Sequence, residues 1–165
     1  MELKTTNFKL TDDIITLSDV NNLEIELSNI EDFFLKVKSK TSLTQLTIPK
    51  SSIMLDELAK LNEINLIDKQ DREQLKLFLQ FIRTKSSVVH MSFNSIPDRS
   101  FLGALIKWLR TEAGMAVLIL IGLQPNIGAG FKLRTTNKFF DFSLSQHLIA
   151  KKQLLIDELQ KALTK

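Results

Sequence analysis

The chain has 165 residues, no cysteine and a formal net charge of +3. That length allows one domain or two small ones, and a hydrophobic fraction of 44% supplies enough apolar material for a core. The composition excludes a disulfide framework and a thiolate metal site, and the charge is too small to demand nucleic acid.

The charge is unevenly spread. Residues 1–85 carry 12 basic and 14 acidic side chains, a net of −2, whereas residues 86–165 carry 10 and 5, a net of +5. Between Lys9 and Lys36 there is no base, while Asp12, Asp13, Asp19, Glu24, Glu26, Glu31 and Asp32 fall there. Such a split predicts two modules that have different partners or face each other. The opening MELKTTNFKLTDD lacks the apolar segment of a signal peptide. The longest apolar stretch, Ala113 to Leu123, is too short to span a bilayer and contains Gly114 and Gly122.

In chain order, NFKL and DIITL are weak strand candidates within residues 1–16. Ser18 reads as a helix N-cap with Asp19 in the first turn. Val20, Leu23, Leu27, Ile30, Phe34 and Val37 then recur at spacings of three and four, one apolar seam on a helix to about Lys38. A narrow seam of this kind suits core packing better than a partner helix. The stretch SKTSLTQLTIPKSS is linker-like. Ser51 or Ser52 caps a second helix to about Asn62, with Ile53, Leu55, Leu58 and Leu61 apolar. Asp68 caps a third, with Leu75, Phe78, Leu79 and Ile82 on one face.

From Ser86 the periodicity changes. VVHMSF is a short strand. Asp98 or Ser100 opens a helix carrying Phe101, Leu102, Leu105, Ile106, Trp108 and Leu109. AVLILIGL is apolar enough to be a strand buried on both faces. The intervening length permits a parallel strand–helix–strand unit. Pro125, Gly128 and Gly130 then punctuate the chain before an alternating pair of strands, FKLRT and KFFDF, joined through Thr136 and Asn137. Ser143 is a candidate cap for a last helix marked by Leu144, Leu148, Leu155, Leu159 and Ala162. The expected fold class is α+β: about three helices over residues 1–85, then a small α/β domain over 86–165 ordered strand, helix, strand, β-hairpin, helix.

Gly128-Ala129-Gly130 raises the question of a phosphate loop. A dinucleotide fingerprint needs a third glycine and must open a helix, so that the helix N-terminus meets the phosphate. Here the glycines open a strand, so a backbone bend is the better reading. His90 and His147 have no second histidine or carboxylate at ligand spacing, and no nucleophile motif is present. The expectation is a non-enzyme with no cofactor, no metal and no small-molecule substrate. Lys132, Arg134 and Lys138 make a basic hairpin surface on which Phe139 would stack a base. A solvated basic face over core phenylalanines explains the same letters, and Asp141 beside Phe139 argues against nucleic acid.

The segment from Val88 to Leu163 resembles the C-terminal domain of the delta subunit of F-type ATP synthases, the mitochondrial OSCP. Gln124-Pro125-Asn126-Ile127-Gly128-Ala129-Gly130 stands at that family's proline and glycines. Asn137-Lys138 stands at its hairpin turn, Phe140-Asp141-Phe142-Ser143-Leu144 at its V-I-D-x-S-V segment, and Leu148 at the following leucine. The first half holds about three helices where the family has six, so the chain reads as a divergent, shortened member. The E subunit of V/A-type rotary ATPases is a neighbouring possibility. The resemblance implies a non-catalytic subunit that joins the catalytic head to the peripheral stalk. Its partners would be the helices of the stalk b subunit, with the alpha-subunit N-termini as a further partner. Its place would be the cytoplasmic side of the membrane, held there through the complex. Phe139, Leu148, Leu155 and Leu159 would line a groove for an amphipathic helix, with Lys132 and Arg134 meeting acidic stalk residues. The alternative is a free-standing α/β adaptor, or a weak nucleic-acid-binding protein, built on the same domain.

Overall fold

The computed structural model describes residues 8–38, 49–144, 151–152, 156–157 and 160. Its elements are α1 (Leu17–Lys38), α2 (Ile53–Leu61), α3 (Lys69–Lys85), β1 (Ser87–Phe93), α4 (Arg99–Ala113), β2 (Val117–Leu123), β3 (Phe131–Arg134) and β4 (Phe139–Asp141), with a 3₁₀ turn over Pro125–Ile127. The fold is α+β. The chain divides into two compact units, Met1–Ser87 with Gly103–Leu118, and Val88–Leu102 with Ile119–Lys165.

The first unit is built on α1, whose start differs from the expected one. Thr16, not Ser18, is the cap. The Thr16 amide and hydroxyl donate to Asp19 Oδ2 at 2.7 and 2.9 Å, and the Asp19 amide donates back to Thr16 Oγ1 at 3.2 Å. The Ile15 amide donates to the same carboxylate at 3.1 Å. Of the two hydroxyl residues, only Thr16 has an acid three positions on, and that spacing closes a capping box. Ser52 caps α2 by accepting from the Leu55 amide, and Asp68 caps α3 by accepting from the Gln70 amide.

The predicted seam of α1 goes into the core. Val20, Leu23, Leu27 and Ile30 are buried, joined by Leu55 and Leu58 of α2 and by Leu75, Phe78, Leu79 and Ile82 of α3. Each such side chain contributes about 1.5–3 kcal/mol by leaving water. The seam runs out at Val37, which is exposed, as are Ile53 and Leu61 of α2. Arg83 to Glu24 at 2.7 Å and Lys76 to Glu31 at 3.8 Å link α3 to α1 at the surface. Arg72, although charged, is buried. Its guanidinium donates to the carbonyls of Leu66 and Ile67 at 2.9 and 2.8 Å and lies over the Phe34 ring at 4.6 Å, fixing the α2–α3 turn.

The sheet order is β2-β1-β3-β4. β1 and β3 are antiparallel, as are β3 and β4. β2 runs in the same direction as β1: the Ser87 amide donates to Ala116 O at one end of the pair, and the Gln124 amide donates to Phe93 O at the other. The sheet is therefore mixed, with α4 as the crossover of a parallel β1–β2 pair. β2 departs from expectation. Val117, Leu118 and Ile119 are buried, but Leu120 and Leu123 are 46% and 53% exposed. It is an edge strand, so its later residues are flanked on one side only.

In the second unit β3 lies on the far side of β1 from β2, so the chain must cross the end of β1 between them. Pro125 opens the 3₁₀ turn, and Ile127 anchors it with 1% exposure. The Asn94 side-chain amide holds Gly128 O at 2.6 Å. Gly128 and Gly130 then turn the chain with φ of +75° and +89°. At Gly130 a Cβ would lie 2.3 Å from Phe142 O, so glycine is required on both counts. Phe131 packs on Phe93 and Phe142 with ring centroids 5.8 and 5.1 Å apart, and Phe101 meets Phe93 edge-on. The expected last helix, with Leu148, Leu155, Leu159 and His147, lies largely outside the described residues.

Candidate functional site: a basic face of the sheet

Side chains alternate across a strand, so the register decides which residues share a face. His90 lies opposite Arg134, Ser92 opposite Lys132, Lys132 opposite Asp141, and Arg134 opposite Phe139. These residues share one face. Val89, Met91, Phe93 and Leu133 take the other and are buried. On the first face lies an open cleft of about 560 Å³, bounded by His90 and Ser92 of β1, Lys132 and Arg134 of β3, Gln124, and the turn from Thr135 to Phe139.

The turn is set by short-range bonds. The Thr135 amide donates to Lys138 O at 2.8 Å, and the Lys138 amide donates to Thr135 Oγ1 at 3.1 Å. Asn137 is at its tip, leaving Lys138 exposed beside Phe139, which is exposed as well.

Asp141, the acid on this face, is already engaged. Its Oδ1 accepts from the Ser143 amide at 2.9 Å and its Oδ2 lies 3.6 Å from Lys132 Nζ. Hydrogen bonds from Ser143, and then the charge of Lys132, hold its pKa below the usual aspartate value. Among the described residues no carboxylate pairs with Arg134 or Lys138. Among the described residues the face therefore presents two cations with no carboxylate partner, a third shared with Asp141, an imidazole, hydroxyls and the phenyl ring of Phe139. This is an arrangement for binding an anionic ligand with a planar part.

Of the residues expected to meet a partner, Lys132, Arg134 and Phe139 are brought together here, while Leu148, Leu155 and Leu159 fall outside the described residues. Pro125, Gly128, Gly130 and Asn137 occupy turns. Sequence reasoning missed His90, Ser92 and Gln124 as neighbours of the basic hairpin. The one available signal was the polar–apolar alternation of Val89, His90, Met91, Ser92 and Phe93, which marks a strand with one polar face.

A second hollow, of about 830 Å³, opens in the first unit beside Phe8, Phe78, Phe81 and Met115. Its most buried cation, Arg110, is spent on backbone carbonyls of Thr11, Ile14 and Val117.

No protein-family model matches the chain, and no curated protein matches it significantly. No helix among the described residues is long and apolar enough to cross a membrane.

Proposed function

We propose that this protein is a delta-type connector of a rotary ATP synthase, a non-catalytic subunit that holds the catalytic head to the peripheral stalk through protein–protein contacts. The observation that carries the reading is an apolar ridge at the end of the hairpin, in the segment where the sequence resembles that family. Phe140, Phe142 and Leu144 are 42%, 48% and 51% exposed, and the first two rings stack with centroids 6.1 Å apart. Large apolar side chains clustered at a surface are characteristic of a docking site, and their spacing suits the apolar stripe of an amphipathic helix. The chain path supports the same reading: strand, helix, parallel strand, proline–glycine crossing and hairpin follow in the order the resemblance implies. In this role the protein carries no reaction of its own. It resists torque, so that rotor motion is not lost in turning the head, and it reaches the membrane through its partners.

The test is co-expression with the stalk b subunit and the catalytic head from the same genome, followed by affinity purification. A complex with the b subunit is expected, weakened at least tenfold by Leu144→Asp and lost on truncation after Ser143. Absence of the chain from a head–stalk complex that assembles fully without it sinks the proposal.

A further inference from the structure

We infer that the basic sheet face is a binding site for single-stranded nucleic acid, with Lys132, Arg134 and Lys138 taking phosphates and Phe139 stacking a base. The inference stands on the geometry of this face and does not depend on the connector role.

Three features carry it. The first is charge. Arg134 and Lys138 have no carboxylate partner among the described residues, and Lys132 has only Asp141, which Ser143 also holds. The second is spacing. Lys132 and Arg134 are alternate residues of β3, which puts their Cα atoms about 6.7 Å apart on one face. That separation is comparable to the distance between successive phosphates of an extended strand, so consecutive phosphates meet consecutive cations. The third is the aromatic. Phe139 is the direct cross-strand neighbour of Arg134 and is 60% exposed, so its ring is a platform beside the phosphate track. Any base offers a π-face to such a ring, so recognition is tolerant of sequence. Ser92 and Thr136 on the cleft wall add hydroxyls for base edges or ribose.

The same features disfavour an amphipathic helix on this face. A helix needs a row of apolar anchors, and among the described residues Phe139 is the one large apolar side chain lining the cleft, set among cations, an imidazole, amides and hydroxyls. They also disfavour a duplex, whose bases are stacked inside and unavailable to Phe139.

The experiment is fluorescence anisotropy of the full chain with a labelled mixed-sequence 12-mer, as RNA, as DNA and as DNA duplex, at 50 and 200 mM salt. Both single strands are expected to bind more tightly than the duplex, and preference for RNA would add a ribose contact to the site. Three neutralised phosphates correspond to a log–log salt slope of about −2, so affinity should fall about 20-fold between the two salt concentrations. Arg134→Gln should reduce the slope by about 0.7. Phe139→Ala should weaken binding about tenfold without changing the slope, because stacking releases no counterions. Lys60→Gln, on α2, is the control and should change nothing. Melting curves establish that each variant is folded; all three substituted residues are exposed. No binding at 50 mM salt overturns the inference. So does duplex binding as tight as single-strand binding, an equal loss in the Lys60 and Arg134 variants, or displacement by an acidic helical peptide that ignores the Phe139 change.

Discussion

Arg110→Met offers the sharpest test of how the first unit holds together. The Arg110 side chain is 13% exposed. Nη1 donates to Thr11 O at 2.8 Å, Nη2 donates to Ile14 O, and Nε and Nη2 both reach Val117 O at 3.3 Å. Asp12 is 3.9 Å away and half exposed, so it adds little. Burial pushes the guanidinium pKa down, and the charge of Asp12 partly restores it. One side chain thus supplies donors to the segment before α1 and to the first residue of β2, two stretches about a hundred residues apart in sequence.

A hydrogen bond from a charged donor contributes about 1.5–3 kcal/mol. The two good bonds therefore sum to roughly 3–6 kcal/mol, and the long pair to Val117 adds little. Two effects offset the loss in the variant: the cost of burying the cation disappears, and the carbonyl of Thr11, a half-buried residue, recovers water, whereas Ile14 is fully buried. Methionine keeps the apolar stem of arginine, so packing changes little. The expected net loss is about 3 kcal/mol. With a urea slope of about 2 kcal/mol/M, the unfolding midpoint should fall by roughly 1.5 M. Trp108, the sole tryptophan, belongs to the same unit and reports the transition by fluorescence. Arg110→Lys should fall between the two, since a point donor cannot reach three separated carbonyls at once. A loss under about 1 kcal/mol for methionine, or a lysine variant as stable as the parent, would refute the reasoning, because the bonds would then be contributing nothing beyond what water supplies.

Two further outcomes follow from local geometry. Gly130→Ala should destabilise by about 3 kcal/mol or more, and Gly128→Ala by less, roughly 1–3 kcal/mol from backbone strain alone. Both glycines have positive φ, but only at Gly130 does a Cβ meet backbone, Phe142 O at 2.3 Å; equal melting-temperature losses would show that the overlap is relieved. The Asp141 carboxyl has a folded-state pKa lowered by Ser143 and Lys132. Its stabilising contribution is therefore present above the ordinary aspartate range and lost as pH falls through the lowered value. Asp141→Asn should flatten the acid limb of the stability–pH profile measured at the hairpin by hydrogen exchange. A profile unchanged by the substitution would mean that the carboxylate is not what titrates there.

The helices were legible because their causes are local. Apolar spacings of three and four placed Val20 to Ile30 and Leu75 to Ile82 in the core, and Ser52 and Asp68 announced their helices. The α1 cap was misplaced by two residues because Thr16 and Ser18 carry the same chemistry. Only the backward reach of Asp19 distinguishes them. In the candidate site the basic hairpin was visible, since Lys132, Arg134, Lys138 and Phe139 are close in sequence. The addition of His90 and Ser92 was not, because it depends on β3 pairing with β1 across 40 residues. Asp141 was read as an obstacle to an anionic ligand, and it is instead engaged by Lys132 and Ser143.

By itself, then, the sequence determined the helices α1 to α4, the core faces of α1 and α3 and the glycine bend at residues 128–130, since propensity, periodicity and backbone sterics act over a few residues; its strand candidates NFKL and DIITL form no strand among the described residues. Tertiary structure alone decided the order β2-β1-β3-β4. That order exposes the end of β2, sends the chain across the end of β1, and gathers one polar face from three strands. Strand pairing is a choice among distant partners, and it is made by the packing of the whole unit.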